Sequence, residues 1–513
     1  MKKTYILIMC SLLCAALHAQ DGFGTYLQDV IQKQEKGVLV AAKLVEACGL
    51  CHSMDLIMDY EYEKLYQQGV ISDYTDYSYN SNTFSAPRHR YYGYTLFAEP
   101  DEFWEEAIGK DYKAITPADV RNYIVARQLY PDATTGDDFA SSDNILYRFV
   151  TYHLLPMRVR PDKLVLHVNE YGYSAANPDR LSIPVMEYYT TMGERRLLKT
   201  YESAESQGIY LNRFPAIDNA RKGTGHEMSC DPDKQGLRID VEHALTEIPN
   251  AIVYPISGLL AYDDATRRNL SRERIRFDVT SLFPEFMSND IRKYPANDER
   301  HQHVYIPPTR QYPYLDALTI SDETRCIYYN AYGYDWCNLQ GDELHFSERY
   351  DVTLRLPPVP VDGVYELRYG ELVNNNGGIC QVYFGTDKEN LPPLGLPMDM
   401  TRGFRSSADI LNYGWEDDTN DETYDASVDL RLRQHGVMKG AKSVNSNSGA
   451  ARSANNSQCL RRILWRGQMK AGETYYVRFR SVMDSEQKKL YMDYFELCPE
   501  AVYDNPVKPE DIW

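Results

Sequence analysis

The Cys48-Gly49-Leu50-Cys51-His52 segment is the motif in this sequence with the sharpest chemical meaning. Cys-x-x-Cys-His is the pattern of covalent c-type haem attachment, which also requires a second axial ligand and a helical pocket around the haem. Met54 and Met58 lie too close in sequence to reach the far face of a haem. The motif also coincides with the end of an Ala- and Leu-rich helix, where Cys and Gly are ordinary core and cap residues. We therefore predict no haem and no other cofactor; a thiol redox pair is the alternative.

Metal binding has two weak candidates. His301 and His303 form a His-x-His pair without an identifiable third ligand, and His226 and His243 are scattered along the chain. An acidic run between Glu416 and Asp425 offers alternate oxygen ligands for Ca²⁺, but the glycine of an EF-hand loop is missing from it. We predict surface or hydrogen-bonded histidines, a solvated acidic loop and no metal.

Catalytic motifs are absent from the sequence. It contains no G-x-S-x-G, no H-E-x-x-H and no glycine-rich phosphate loop. Carboxylates are numerous, so a glycosidase pair remains open, although no two of them stand out. We predict that the chain is not an enzyme, and a secreted glycan-active enzyme is the alternative.

Aromatic residues near the C-terminus are the candidates for contacting a sugar. Tyr413-Gly414-Trp415-Glu416-Asp417 combines rings that can stack on a sugar with carboxylates that accept hydroxyl protons. Trp465 lies in an apolar strand pattern, and Trp336 stands beside Cys337 in a predicted hairpin. We therefore expect an exposed Trp415, with Tyr413 beside it, to form the ligand contact.

The elements that would position these residues change in character along the chain. Helical patterns cover residues 25–70, begin again at Asp101 and at the Thr116-Pro117-Ala118-Asp119 start signal, and recur over 143–153. A short strand is predicted at Tyr94–Ala98. Further short strands are predicted at 164–168, 196–199, 208–212 and 252–256, and one or two short helices within 266–300.

After residue 300 the pattern is typical of an all-β domain. Alternating or apolar strand patterns separated by turn residues predict a sandwich or jelly roll. They cover residues 350–356, 363–369, 380–384, 428–432, 460–466, 474–480 and 490–497. Cys326 and Cys337 are placed to face each other across a hairpin, so we consider them a candidate disulfide.

Composition and the N-terminus indicate an exported protein. Lys2 and Lys3 precede a short apolar run over 5–17, and Ala19 offers a cleavage point, so residues 1–19 are predicted to be a signal peptide. The net charge of −19 disfavours binding to nucleic acid or to anionic lipids.

No later stretch is long and apolar enough to span a membrane, so the mature chain is expected to be soluble or peripherally held. A lipoprotein is the alternative, because Cys10 and Cys14 lie in the apolar run, but Met9 and Leu13 precede them where a lipobox needs a small residue.

Four ordered segments resemble the fasciclin (FAS1) family, specifically the divergent fasciclin-like surface proteins of Bacteroidetes. They are "VLVAAKLVEACGL" at 38–50, "YTLFAEPDEFW" at 94–104, "LYRFVTYHLLP" at 146–156 and "NAIVYPISGLL" at 250–260. The third contains Tyr152-His153, similar to the family's Tyr-His pair. The resemblance implies adhesion rather than catalysis and a possible partner-binding role for this pair. By helix geometry the two side chains point in different directions, so we expect them to support the structure first.

The C-terminal strands are similar to those of galactose-binding-like and carbohydrate-binding jelly rolls. The expected class is α+β, with a fasciclin-like domain over 25–265, a connector over 266–300 and a β-sandwich over 301–513. The expected function is non-catalytic adhesion, with a glycan or a surface or matrix protein as partner. The expected location is the periplasm, the outer membrane surface or the medium. A passive structural subunit of a surface assembly is a further alternative.

Overall fold

The computed structural model describes residues 21–76, 82–166, 185–203, 206, 208–218, 226–227, 230–292, 303–308, 312–330, 338–372, 376–401, 413–419, 421–441, 443–446, 449–450, 452, 459–483, 485, 488–507 and 510. Most helices precede residue 290, and long antiparallel strands dominate the rest, so the fold class is α+β as predicted. The predicted signal peptide, Trp336, Cys337 and His301 lie outside the described residues.

The α-helices share a short length, between one and four turns. In chain order they are α1 Phe23–Lys33, α2 Leu39–Ala47, α3 Cys51–Met54, α4 Tyr60–Gln67, α5 Asp101–Ile108, α6 Pro117–Ala126, α7 Ile145–Tyr152, α8 Asp264–Leu270, α9 Pro284–Ser288, α10 Glu422–Gln434 and α11 Glu500–Tyr503.

The strands before residue 260 are short. They are β1 Tyr74–Asp76, β2 Asn82–Phe84, β3 Tyr94–Ala98, β4 Leu154–Leu155, β5 Val185–Thr190, β6 Leu197–Glu202, β7 Ile209–Leu211, β8 Ile217–Asp218, β9 His226–Glu227, β10 Leu237–Arg238 and β11 Ala251–Pro255. The later strands are β12 Ile275–Asp278, β13 His303–Ile306, β14 Leu318–Ile320, β15 Thr324–Asn330, β16 Asp342–Glu348, β17 Asp351–Arg355, β18 Gly363–Leu372, β19 Ile379–Gly385, β20 Met398–Asp399, β21 Val437–Lys439, β22 Asn445–Ser446, β23 Gly449–Ala450, β24 Cys459–Met469, β25 Tyr476–Ser481, β26 Leu490–Met492 and β27 Tyr494–Pro499.

The N-terminal part is organised around a small mixed sheet in the order β11-β3-β4. β3 runs parallel to β11 and antiparallel to β4. All five residues of β3 are buried, which explains its largely apolar sequence, because a strand covered on both faces has no solvent side; the Thr95 hydroxyl donates to the Met157 carbonyl at 2.7 Å. A second sheet, β10-β7-β6-β5, is antiparallel.

Two carboxylates fix the starts of neighbouring helices. Asp119 and Thr116 form the predicted capping box of α6, with Pro117 in its first turn. The buried Asp101 accepts hydrogen bonds from the backbone amides of Gly37, Leu39 and Val40, at 2.7, 3.1 and 2.9 Å, at the start of α2. The second contact has no local sequence signal, because its partners lie more than 60 residues apart.

The C-terminal part contains two five-stranded antiparallel sheets, β12-β27-β18-β24-β21 and β14-β17-β25-β19-β20. Aromatic side chains from the two sheets pack against each other in the space between the sheets. The ring centroid of Phe479 lies 5.4 Å from that of Tyr369 and 6.0 Å from that of Phe495. A four-stranded sheet, β13-β15-β16-β26, continues into the first of them, because only Asp493 separates β26 from β27. The sheets therefore enclose an aromatic core.

Within the segment predicted as a connector, Ile275–Asp278 forms β12 and belongs to the C-terminal sheet, and the rest of its described part contains the short helices that the sequence predicted. β12 pairs antiparallel with β27, in a register that places Phe277 opposite Phe495. Four residues are too few to reveal a strand by alternation, so only the long-range pairing identifies it. One continuous apolar core runs from Phe23 through both parts to Leu497.

Two of the predicted elements are wrong. Residues 428–432 belong to α10, where Val428 and Leu432 lie one turn apart on the buried face and Asp421 caps the helix start. Because Val428 and Leu432 are an even number of residues apart, they would also lie on the same face of a β-strand. The strand predicted at 164–168 is absent from its described part, 164–166, which follows a short 3₁₀ turn at Pro161–Lys163.

Cys326 is a buried free thiol in β15, against the disulfide predicted from the sequence. Among the described helices, none has the length and apolar character needed to cross a lipid bilayer.

Candidate binding site

A cleft of about 360 Å³ opens in the N-terminal part, between the end of α6 and the start of α8. It is lined by residues 127–132, Arg148, Arg196, 262–265 and 267–268. Five of these residues are arginines, and we call the site the arginine cleft: Arg127, Arg148, Arg196, Arg267 and Arg268. This is a local concentration of positive charge on a chain whose net charge is −19.

The wall of the arginine cleft has an unusual backbone. Gln128 and Tyr130 have φ values of +57° and +51°, in the left-handed region that side chains other than Gly, Asn and Asp rarely adopt. The buried Tyr130 is held there in part by its hydroxyl, which accepts a hydrogen bond of 3.0 Å from the backbone amide of Tyr262. Conformations of this kind persist where surrounding contacts enforce them, and they cluster at functional sites.

Three of the five arginines are paired with carboxylates. Arg148 contacts Asp132 at 3.0 Å, Asp143 at 3.5 Å and Glu194 at 3.1 Å. Arg196 pairs with Glu194, and Arg267 with Asp264.

Arg127 and Arg268 are exposed and differ from these three. Arg127 stacks on the ring of Tyr123, with its guanidinium carbon 3.4 Å from the centroid. Neither arginine forms an ion pair with a carboxylate within the described part of the chain.

Tyr152 lies directly behind this cleft. Its ring centroid is 5.2 Å from that of Tyr262, and its hydroxyl donates to the carbonyl of Leu197 at 3.1 Å and accepts from Asn212 at 3.0 Å. Burial raises the pKa of Tyr262 to about 12, although the nearby positive charge of Arg196 acts to lower it. Tyr152 is buried behind the cleft and does not line it, so its predicted role as a ligand contact is not supported by this cleft.

His153 is also buried and faces the opposite way. Its Nδ1 lies 2.8 Å from the carbonyl oxygen of Phe149, and its Nε2 lies 2.9 Å from Glu99 Oε1. The same Glu99 oxygen accepts a hydrogen bond of 2.9 Å from the amide of Leu260. His153 thus ties the end of α7 to the segment that follows β11. Its role as a ligand contact stays a prediction.

The expected exposure of Trp415 is wrong. Its side chain is 1% exposed and packs with Val428 and Leu432, because its loop lies beneath α10. Tyr413 is half-buried, 5.3 Å from the ring of His435, and packs on the same cluster. A sugar cannot stack on the Trp415 ring in this arrangement, so the sequence-based choice of ligand surface needs correction. Trp465 packs on Phe384 at 4.6 Å, in agreement with its predicted core position.

The Cys-x-x-Cys-His motif folds as the junction of two helices. Cys48 is the C-cap residue that follows α2, Cys51 begins α3, and both are buried free thiols. Burial raises the pKa of each thiol to about 12, which disfavours the thiolate needed for redox or nucleophilic chemistry.

The predicted acidic loop makes its own ion pairs. Asp418 contacts Lys439 at 2.8 Å and Arg452 at 2.6 Å, and Glu416 contacts Arg431 at 2.8 Å. His243 lies 2.8 Å from Asp240 on the surface. Within the described residues, no group of three or more His, Cys, Asp or Glu side chains has the arrangement of a metal site.

A second polar centre, which the sequence did not predict, joins the two parts of the chain. Arg292 is fully buried and contacts Glu187 at 3.2 Å and Asp278 at 3.0 Å. The Thr280 hydroxyl lies 2.9 Å from both Asp278 and Asp342, so these two carboxylates are neighbours. Their burial excludes a bound substrate from them and indicates a structural centre.

Comparisons with known proteins give little further information. No family model and no curated protein matches the chain. Among solved structures, it is similar to a Paenibacillus xanthan lyase, with 11% identity, a TM-score of 0.21 and coverage of 62% of this chain and 24% of that one. The matched region thus spans about a quarter of the lyase, and a similarity this low supports no inference.

Proposed function

We propose that this chain is an exported, non-catalytic protein of the bacterial cell envelope that attaches to an external glycan or to a surface or matrix protein. Its N-terminal part is fasciclin-like, and its C-terminal part is a galactose-binding-like sandwich that acts as the support. Ligand binding takes place in the N-terminal part.

The arginine cleft is the observation that carries this proposal. It is concave, its volume of about 360 Å³ lies within the usual range for ligand pockets, and its wall is held in an uncommon backbone conformation. The cleft also adjoins the Tyr-His segment, through the contact between Tyr152 and Tyr262.

The packing of the ordered segments supports the fasciclin likeness. β3, from the second segment, lies beside β11, from the fourth, and β4 at the end of the third completes the sheet. His153 then joins Glu99 of the second segment. Segments that are far apart in sequence therefore share one core, as a single module requires.

The burial of one group of neighbouring carboxylates favours binding over hydrolysis. Asp278, Asp342 and Asp493 are each at most 1% exposed, so they cannot flank a glycosidic bond. Asp132 and Asp264, at the arginine cleft, are held by arginines instead.

Binding of the purified mature chain to glycan and matrix-protein arrays tests the proposal, together with fractionation of the native cells. We expect retention of one class of ligand without change to it, and recovery of the chain in the envelope or the medium. Release of shortened glycan products would overturn the non-catalytic assignment. Failure to bind any ligand, with incorporation into a surface assembly, would favour the passive structural subunit.

A further inference from the structure

We propose that the arginine cleft binds a sugar that carries a carboxylate, such as a uronic acid unit of an acidic glycan, and that Arg127 and Arg268 hold the carboxylate. This inference rests on the proposed binding function and adds the ligand class and the residues responsible.

Arg127 and Arg268 are the arginines of the cleft whose charge is available to a ligand. Arg148, Arg196 and Arg267 are neutralised by carboxylates of the chain itself. Arg127 and Arg268 have no such partner among the described residues. A guanidinium presents a planar fork of donors that matches a carboxylate, so an anionic group is the natural occupant of the cleft that both arginines line.

Arg127 is oriented before any ligand arrives. Its guanidinium carbon lies 3.4 Å from the centre of the Tyr123 ring, a cation–π contact that restricts its motion. The next residues, Gln128 to Tyr130, are fixed by the hydrogen bond between the Tyr130 hydroxyl and the Tyr262 amide. Side chains held in place lose less entropy on binding, which favours affinity.

The remaining lining favours a sugar over a peptide. Asp132 and Asp263 line the same cleft, and their carboxylate oxygens can accept hydrogen bonds from sugar hydroxyls, whereas a purely anionic ligand would be repelled by them. The lining residues belong to helices α7 and α8 and to the segments that follow α6, precede β6 and precede α8, and none of them lies in a strand that could pair with an extended peptide. The volume of about 360 Å³ suits one or two sugar units.

The test compares two double variants of the mature chain. Arg127→Ala with Arg268→Ala removes the proposed carboxylate contacts. Arg88→Ala with Arg272→Ala is the matched control, because both residues are exposed, neither lines the cleft, and Arg88 also stacks on a tyrosine, Tyr66, at 5.9 Å. Each double variant removes two positive charges, so the two variants have the same net charge. Calorimetry with digalacturonate, digalactose, a sulfated disaccharide and a hexa-aspartate peptide then measures binding.

We expect digalacturonate to bind and digalactose not to bind, with affinity at least about tenfold lower in the cleft variant and unchanged in the control. Equal binding of hexa-aspartate would show a charge effect alone and overturn the inference. Preference for the sulfated sugar would overturn the carboxylate assignment. An equal loss of affinity in both double variants would overturn the assignment to this cleft.

The outcome separates this inference from the broader proposal. If the arrays detect a neutral glycan or a matrix protein, and the cleft variant binds it as the wild type does, the binding function stands and the ligand class proposed here is wrong. Thermal melting of both variants confirms that each is folded, which is expected because the substituted side chains are exposed.

Discussion

Glu99 Oε1 lies 2.9 Å from His153 Nε2, with both residues buried beside the β11-β3-β4 sheet. Because this oxygen also accepts from the Leu260 amide, one carboxylate connects the end of α7 to the segment after β11. We therefore expect the Tyr-His segment to contribute to the stability of the N-terminal part.

The first prediction concerns His153→Ala. The substitution removes two buried contacts and leaves Glu99 with one partner fewer, so we expect about 2–3 kcal/mol lower unfolding free energy. Denaturant unfolding measures it. His243→Ala is the control, because among the described residues that exposed side chain pairs with Asp240 alone, and its loss should have little effect. Unchanged stability with lost ligand binding would instead assign His153 to the ligand site.

The second prediction concerns the thiols of the Cys-x-x-Cys-His motif. Because burial holds their pKa at about 12, Cys48 and Cys51 should not react with a thiol reagent in the folded protein at pH 8. The half-buried Cys230 should react and serves as the internal control. Mass spectrometry of labelled peptides, before and after unfolding, identifies the sites.

The same motif predicts a colourless protein. Expression with a cytochrome maturation system should yield no haem absorbance, because the thiols lie at the junction of α2 and α3 inside the core. A Soret band that survives denaturation would contradict this.

The third prediction is a pH effect at Glu510. Burial alone would raise its pKa, but Arg368, at 2.6 and 2.9 Å, together with Arg274 and Arg461, outweighs burial and holds the pKa at about 2. Because the folded-state pKa lies below the unfolded one, this carboxylate stabilises the fold above about pH 4.5, and the effect is lost as the pH falls towards 2.

Glu510→Gln should therefore lower the unfolding free energy by roughly 3 kcal/mol at pH 7 and by progressively less at lower pH. Denaturant titrations at pH 7, 5 and 3 measure the trend. Glu500→Gln, at an exposed position, is the control. A pH-independent loss of stability in the Glu510 variant would point to packing rather than charge.

Local signals predicted the local structure well. The start of α6 was predicted correctly from Thr116, Pro117 and Asp119. The strand β3 was predicted correctly from the largely apolar segment Tyr94–Ala98. The strand predicted at residues 428–432 is wrong because the four-residue separation of Val428 and Leu432 fits both helical and strand periods, and the helix start is marked only by the distant cap at Asp421.

The arginine cleft had no comparable signal. Arg127, Arg148, Arg196 and Arg268 come from four separate segments, and only the tertiary fold brings them together. The left-handed backbone conformation at Gln128 and Tyr130 could not be predicted from the sequence either, because neither residue type indicates a positive φ. The prediction that Trp415 is exposed was wrong for a related reason: the polar sequence of its loop does not reveal that α10 covers the Trp415 side chain.

The last prediction tests the buried polar centre between the two parts of the chain. Arg292 contacts Glu187 on β5 at 3.2 Å, and Asp278 on β12 at 3.0 Å. Burial and the neighbouring Asp342 raise the pKa of Asp278, and Arg292 opposes them. Arg292→Met keeps much of the side-chain length but leaves buried carboxylates without their counter-charge, so we expect a loss of about 3–5 kcal/mol at pH 8.

The loss should shrink as the pH falls. Without Arg292, the folded-state pKa of Asp278 rises further, and a carboxyl whose folded pKa is raised contributes stability that is present at low pH and lost as the pH rises. Adding Asp278→Asn to Arg292→Met should therefore recover part of the loss at pH 8, since it removes one uncompensated charge. Arg272→Met, on the surface, controls for the loss of an arginine. Denaturant unfolding of these variants at pH 5 and 8 measures each step. A loss that is equal at both pH values and unchanged by Asp278→Asn would mean that Arg292 acts by packing, with its ion pairs contributing nothing to the joint between the two parts.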